Sequence, residues 1–131
     1  MGGCHVQPEQ MFNLIFGYND QYRQVVWTAS ATLGANRQYG TEVPAGEVWV
    51  VTSMCAYDGT NNPGQIAVGM YNGSSYLNVN MAVGVVANQA VVFNGLMVMK
   101  AGDKAQAFYG SCTAGDGLTF AITGYKMKLV Q

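Results

Sequence analysis

The feature that most constrains the fold is the alternation of apolar and other residues in many short runs. Ile66, Val68 and Met70 occupy every second position, and the run at residues 77–83 follows the same period. A period of two places successive side chains on opposite faces, as in a half-buried β-strand. Residues 48–57 form a denser β-branched and aromatic run, which also predicts a strand.

Turn-forming residues separate these runs along the chain. Further strand-like runs occupy residues 24–33, 91–93, 96–99, 105–108 and 118–129, and segments rich in Gly, Asn and Pro lie between them. Asn72-Gly73 between two alternating runs is typical of a tight hairpin. About eight short strands joined in this way predict an all-β protein, an antiparallel β-sandwich or barrel.

The last run changes phase at a glycine. Its apolar residues first occupy even positions and then odd ones, with Gly124 between the two sets: Leu118, Phe120, Ile122, then Tyr125, Met127, Leu129. A glycine at a slip of one residue predicts a β-bulge, because glycine tolerates the unusual backbone that a bulge needs.

An Ala-Gly-acid tripeptide occurs three times, ending in Glu47, Asp103 and Asp116. Each copy precedes a predicted strand. Glycine supplies a positive φ and a short carboxylate accepts nearby backbone N–H groups, so the tripeptide is typical of a turn. Calcium takes about six or more oxygen ligands, which one acid per turn does not supply. We predict turn residues with no metal role.

An apolar segment precedes the strand pattern. Pro8 and Glu9 come before large apolar residues at near-helical spacing, which predicts a short helix or arm within residues 1–23, followed by a sandwich domain at 24–131. The apolar residues are Met11, Phe12, Leu14, Ile15 and Phe16. They could pack on their own domain or on a neighbouring subunit. We predict the second, with contacts to another copy or to a capsid subunit.

Charge is sparse. Only 10% of residues are charged, and six Lys+Arg against seven Asp+Glu leave a formal net charge of −1, compared with about 25% charged residues in average proteins. Phosphate binding needs clustered cations, so direct nucleic-acid binding is not expected. No run reaches the ~20 apolar residues of a membrane helix. We expect a homo-oligomer in which other chains cover much of the exterior.

The sequence offers little to a catalytic or metal site. His5 is the only histidine, and the spacing of Cys4, Cys55 and Cys112 matches no zinc or redox motif. The start of the chain has no secretory signal pattern, so the cysteines are interpreted as reduced thiols. We predict no enzyme activity, no catalytic residues, no metal and no cofactor.

Aromatic residues raise the alternative of sugar binding. Trp27 and Trp49 lie inside strand patterns and are predicted to fill the core. Tyr71 and Tyr76 flank the predicted hairpin and are better candidates for exposed contacts. Asp58, Asn61 and Asn62 form a second candidate contact loop, where they could orient hydroxyls or a cation or simply shape the loop.

Three stretches carry a resemblance to a known group of proteins. "TEVPAGEVWVVTSM" and "LMVMKAGDKAQAFYG", followed by "GLTFAITGYKMKLVQ", are similar to small jelly-roll structural proteins of tailed bacteriophage particles, especially capsid decoration or cement proteins. The resemblance covers about residues 24–131. It implies a jelly-roll-like β-sandwich that forms a homotrimer.

The resemblance also implies a role and a location. Such a trimer would clamp neighbouring major capsid subunits on the capsid exterior, after assembly in the host cytoplasm. Two other functions stay open, a tail adaptor or receptor-binding fibre domain and a carbohydrate-binding module.

Overall fold

The computed structural model of the protein describes residues 18–129, with side chains from residue 21 onward. Its regular elements are eight β-strands, and no helix among the described residues is long and apolar enough to cross a membrane. The strands are β1 (Tyr18–Thr28), β2 (Gly34–Tyr39), β3 (Glu47–Asp58), β4 (Gly64–Tyr71), β5 (Tyr76–Val85), β6 (Val91–Lys100), β7 (Lys104–Cys112) and β8 (Leu118–Lys128).

The strands form two four-stranded sheets. The first sheet has the order β1-β8-β3-β6 and the second has the order β2-β7-β4-β5. Every neighbouring pair is antiparallel. Side chains from one face of each sheet meet in a common core, so the predicted antiparallel β-sandwich is confirmed.

The core is made by alternate residues of the inner strands. Val51 and Met54 of β3 and Phe120 of β8 face Ile66 and Val68 of β4, and all five are at most 1% exposed. Burying a side chain of this size contributes about 1.5 to 3 kcal/mol. The period-two runs of the sequence are therefore the inward positions of the sandwich.

Most predicted strands are present, with two changes. The runs at 91–93 and 96–99 form one strand, β6. The run at 24–33 belongs to a strand that begins earlier, at Tyr18, and ends at Thr28. Residues 18–23 are therefore part of the sheet. The predicted helix and the arm contacts fall at residues 1–17, outside the described residues: Met11, Phe12, Leu14, Ile15, Phe16.

A bulge occurs beside Gly124, but it lies in β3 and not in β8, where it was predicted. Val51 and Ser53 of β3 pair with the consecutive residues Gly124 and Thr123, so the extra residue is Thr52. A Cβ added to Gly124 would lie 1.9 Å from the carbonyl oxygen of Val50. Glycine is required here because the backbone of β3 approaches β8 too closely for any side chain.

The Ala-Gly-acid turns form as predicted. Gly46, Gly102 and Gly115 have φ values of 80°, 93° and 94°. Oδ2 of Asp103 accepts the backbone N–H of residue 100 at 3.0 Å, and Oδ2 of Asp116 accepts that of residue 113 at 2.9 Å. The longer Glu47 side chain differs because its Oε1 accepts from the Trp49 indole.

The Asn72-Gly73 hairpin is confirmed. Gly73 has a φ of 99°, and Oδ1 of Asn72 accepts the N–H groups of Ser74 at 3.0 Å and Ser75 at 2.8 Å. The turn joins β4 to β5, so it places Tyr71 and Tyr76 opposite each other.

Candidate functional site

The outer face of the first sheet carries a row of side chains that crosses all four strands. Val25 of β1 pairs with Ala121 of β8, which pairs with Cys55 of β3, which pairs with Val92 of β6. Val26, the next residue of β1, packs against the core, so Val25 points away from it. The row is therefore on the outside of the sandwich and contains no charged residue.

Large apolar side chains on this surface are exposed. Trp27 is 70% exposed, Val25 67%, Leu96 71% and Val98 59%. Single exposed apolar residues are ordinary, but a contiguous group marks an interaction surface. We call this group the apolar face: Val25, Trp27, Cys55, Val92, Leu96, Val98, Ala121.

The position of Trp27 corrects the prediction from sequence. Trp49 is buried in the core as expected, whereas Trp27 points outward. The inner face of β1 is filled by Tyr22 and Val26 instead. The alternation in β1 is apolar on both faces near Trp27, so period alone did not show which residues face the core.

Charges border the apolar face. Arg23 lies in the neighbouring row, which runs through Thr123 and Ser53 to Asn94. Lys100 lies at the end of β6. Among the described side chains at outward positions of these four strands there is no acid, and the row of Arg23 crosses the sheet between Val92 and Leu96. The surface is therefore apolar with one polar row, and its cations lie on the two edge strands.

A second candidate site is a buried group at one end of the sandwich. Asp58 ends β3, Cys112 ends β7, and Asp116 lies in the loop before β8. A carboxylate oxygen of each acid and Sγ of Cys112 all lie within 4.8 Å of one another. Both acids are 0% exposed. Asp58 was predicted in an exposed contact loop, which is wrong because its side chain turns inward beneath that loop.

Neighbouring N–H groups hold the two carboxyls. Oδ1 of Asp58 accepts the backbone N–H of Thr60 at 2.9 Å and of Asn61 at 3.1 Å. Oδ1 of Asp116 accepts from Nδ2 of Asn61 at 2.6 Å, and its Oδ2 accepts from Thr113. Oδ2 of Asp58 has no donor among the described residues. If Asp58 is protonated, its hydroxyl can donate a hydrogen bond to Asp116, and Oδ2 is then no longer without a partner.

The pKa values of Asp58 and Asp116 are shifted in opposite directions. Burial and the hydrogen bond with Asp116 raise the pKa of Asp58 against the effect of two backbone N–H groups. Burial opposes ionisation of Asp116, but hydrogen bonds from Asp58, Asn61 and Thr113 hold its pKa below its ordinary value. At pH values between these two pKa values the pair holds one proton, which lies on Asp58, and at higher pH both carboxyls are charged.

The same group fits a metal ion poorly. Burial, followed by the charges of Asp58 and Asp116, raises the pKa of the Cys112 thiol to about 11. The thiol is therefore protonated in the metal-free protein, so a metal ion would have to displace its proton. Three of the four carboxylate oxygens already accept N–H groups. The arrangement suits a shared proton, and we assign no metal to it.

The asparagines of the predicted contact loop connect neighbouring loops. Asn61 reaches Asp116, and Oδ1 of Asn62 accepts the backbone N–H of Ala87 at 2.9 Å. Asn62 is exposed, and Asn61 is half-buried. This loop precedes β4, whereas Tyr71 is the last residue of β4 and Tyr76 is the first residue of β5. The structure therefore does not bring the two predicted contact groups together.

Tyr71 and Tyr76 belong to an aromatic cluster on the second sheet. Their rings stack at a centroid distance of 4.5 Å, and the phenol oxygens of Tyr39 and Tyr76 are 2.8 Å apart. The guanidinium of Arg37 lies 3.7 Å from the centroid of the Tyr76 ring, and Lys104 lies near Tyr39. One face of the Tyr76 ring is therefore covered by Arg37 or Tyr71, while Tyr39 and Tyr76 remain 37% and 41% exposed, so the carbohydrate-binding alternative stays open.

Comparisons with known proteins show no family. No family model matches the chain, and no curated protein matches it. Among solved structures, a Bacillus endospore appendage, described as a disulfide-linked pilus, shares 15% identity and a TM-score of 0.48 over 86% of this chain and 92% of that one.

Two other solved structures have lower TM-scores. The carbohydrate-binding module CBM4 shares 12% identity, with a TM-score of 0.38 over 85% of this chain and 81% of that one. The virus-like particle of the extra small virus of the prawn Macrobrachium rosenbergii shares 13% identity, with a TM-score of 0.38 over 85% and 81%. Such low identities bear on fold alone, so any assignment of function depends on the surfaces of this chain.

Proposed function

We propose that the chain is a structural protein of a bacteriophage particle, a capsid decoration or cement protein that clamps neighbouring major capsid subunits. The observation that carries this proposal is the apolar face. Trp27 and Leu96, which are 70% and 71% exposed, would be unfavourable in water on a free-standing protein. A subunit that is packed against its neighbours in a shell buries such a surface.

Composition supports the same role. The chain has few charges and eight methionines, and interface cores are depleted in charge and enriched in aromatic residues and methionine. We propose a homotrimer on the capsid exterior, assembled in the host cytoplasm, with the segment at residues 1–17 contributing to attachment. Binding the assembled shell but not its free subunits would stabilise the particle by mass action.

A catalytic role has less support. The buried acids Asp58 and Asp116 are both 0% exposed, so a substrate would not reach them. A carboxyl pair that works as acid and base needs the reacting bond between its members. We therefore interpret this pair as part of the fold and propose no enzyme activity.

The experiment is to measure binding to particles. Purified chain is added to capsids that lack it, and bound protein is measured after sedimentation of the particles. We expect saturable binding to the shell, reduced at least tenfold by deletion of residues 1–17. Ser74→Asp, at an exposed hairpin position of the second sheet, is the matched surface control and should bind as the wild type does.

Other outcomes would support other roles. Density for the protein at the tail tip in a particle reconstruction would favour the tail adaptor or receptor-binding domain. Binding to a glycan array by a stable monomer, with no binding to particles, would favour the carbohydrate-binding module. Unchanged shell binding by the deletion variant would show that attachment lies in the sandwich.

A further inference from the structure

The apolar face has ridges at its two sides and a groove between them. The edge strand β1 carries Val25 and Trp27, and the opposite edge strand β6 carries three exposed side chains: Val92, Leu96, Val98. In two middle rows the central strands β8 and β3 carry small residues at the outward positions between these ridges: Ala121, Thr123, Ser53, Cys55. Tyr57 lies in the row of Trp27, and Val50 and Tyr125 lie in the row of Val98. The groove is therefore confined to the two middle rows, with larger side chains around it.

We infer that this face binds the same face of a second copy, across a twofold axis. In such a pair the Val25–Trp27 ridge of one copy lies in the groove of the other. By symmetry, the Val25–Trp27 ridge of the second copy lies in the groove of the first. Facing sheets pack well when large side chains of one oppose small side chains of the other, at a separation of about 10 Å. The inference rests on the proposed structural role and specifies its partner.

Charge favours a second copy over a partner of different chemistry. The row that contains Cys55 is uncharged, so two copies meet there without burying a charge. Arg23 and Lys100 lie at the border, where water screens them. An acidic protein or a nucleic acid would instead require several cations near the centre of the surface, and the described residues place none there.

The size of the face is adequate for a stable pair. Four strands of about ten residues, spaced by about 4.8 Å and rising about 3.3 Å per residue, give the whole outer side of the sheet an area of about 600 Å². A standard interface takes about 800 Å² from each partner. The outer side of the sheet, with the side chains that project from it, is therefore large enough for an interface centred on the apolar face.

The first measurement is the association state by sedimentation of the full chain at micromolar concentration. We expect six copies if the proposed trimers pair through this face, whereas two copies would support the twofold contact and contradict the trimer. Val25→Asp places a charge in the interface and should halve that number. Val83→Asp is the matched control, because Val83 is 76% exposed on β5 of the second sheet. Trp27→Ser removes ridge area without adding charge and should weaken association at least tenfold.

The second measurement uses Cys55 as a reporter inside the groove. Cys55 is partly exposed and Cys112 is buried, so in a Cys4→Ser background a thiol reagent should label Cys55 first. Labelling should be slow in the associated protein and at least tenfold faster in Val25→Asp. Circular dichroism of each variant verifies that it is folded.

Three outcomes would overturn the inference: a wild-type monomer, Val25→Asp with unchanged association, or Val83→Asp with the same loss. Loss of association on deletion of residues 1–17 alone, with rapid labelling of Cys55 in the wild type, would identify that segment as the contact instead. Self-association through this face by a protein absent from phage particles would leave the inference standing and remove the proposed function.

Discussion

The phenol oxygen of Tyr109 donates a 2.6 Å hydrogen bond to Oε1 of Gln38 inside the sandwich. Nε2 of the same glutamine faces the carbonyl oxygens of Val26 at 3.2 Å and Leu118 at 3.1 Å. Gln38 and Tyr109 belong to the second sheet, and Val26 and Leu118 belong to the first. One buried amide therefore connects the two sheets along the side where β1 and β2 are the edge strands.

Replacing Tyr109 by Phe should destabilise the protein. Burial raises the pKa of Tyr109, so its hydroxyl remains protonated and available as a donor. Its loss leaves Oε1 of Gln38 buried without a donor, which should lower the free energy of unfolding by about 1 to 3 kcal/mol. Urea unfolding measures this. Tyr76→Phe, at a 41% exposed position, is the control and should change it by about 0.5 kcal/mol or less. Equal effects would contradict the prediction.

Gly124→Ala should destabilise the protein more than the addition of a single methyl group usually does. The added methyl group would lie 1.9 Å from the carbonyl oxygen of Val50, and backbone on both strands must move to relieve the overlap. We expect a loss of about 3 kcal/mol or more in the free energy of unfolding. Gly117→Ala is the control, since a Cβ there first meets Oγ1 of Thr60 at 3.8 Å. A normal melting temperature for Gly124→Ala would show that the bulge adapts.

Stability should depend on pH through the Asp58–Asp116 pair. The pKa of Asp58 is raised in the folded protein, so its contribution is complete below its unfolded pKa of about 3.9 and is lost as pH rises through the folded pKa. The pKa of Asp116 is lowered, so its contribution is present above about pH 3.9 and is lost as pH falls through the folded pKa. Stability should be greatest where the pair holds one proton.

The two asparagine variants separate the roles of these acids. Asp58→Asn imitates the protonated carboxyl, so its melting temperature should fall less than that of the wild type as pH is raised above about 3.9. Asp116→Asn loses an acceptor for either Asn61 or Thr113 and should cost about 1 to 3 kcal/mol throughout this range. Thermal melts at several pH values test both. The reverse ranking would mean that Asp58 is the charged member.

The Asp116 turn should not bind calcium or zinc. The carboxylate already accepts two N–H groups, and a metal ion would also have to displace the proton of the neighbouring Cys112 thiol, whose pKa is raised to about 11. Titration calorimetry with either ion should show no saturable heat, and neither ion should raise the melting temperature. Tight binding that Asp116→Ala abolishes, while Asp103→Ala preserves it, would establish a metal site.

The positions of the strands could be predicted from sequence, but the orientation of β1 could not. Alternation places Val26 and Trp27 on opposite faces without stating which face is inward. That choice depends on the pairing of β1 with β8, where Val26 lies opposite Phe120 and Trp27 opposite Thr119. Register is a long-range property, so the outward position of Trp27, and with it the apolar face, became visible only in the fold.

The meeting of Asp58 and Asp116 was hidden for a similar reason. The two acids are far apart in the chain, one at the end of a strand and one just before another. Asp58 lies directly opposite Leu118 in the pairing of β3 with β8, so antiparallel pairing carries the loop residue Asp116 to the same end. The sequence does place Asp58 at the end of one predicted strand and Asp116 just before another. These positions predict a contact only when the two strands are known to pair.

The place of β8 between β1 and β3 affects how the protein can be made. A ribosome releases β1 before β8, yet in the described fold β8 is the ladder partner of β1. The nascent chain therefore presents an unpaired β1 and one unpaired side of β3 until β8 emerges. Pairing of β1 with β8 joins segments that are far apart in the sequence, which favours slow folding. Copies synthesised close together would be exposed to strand exchange during this interval.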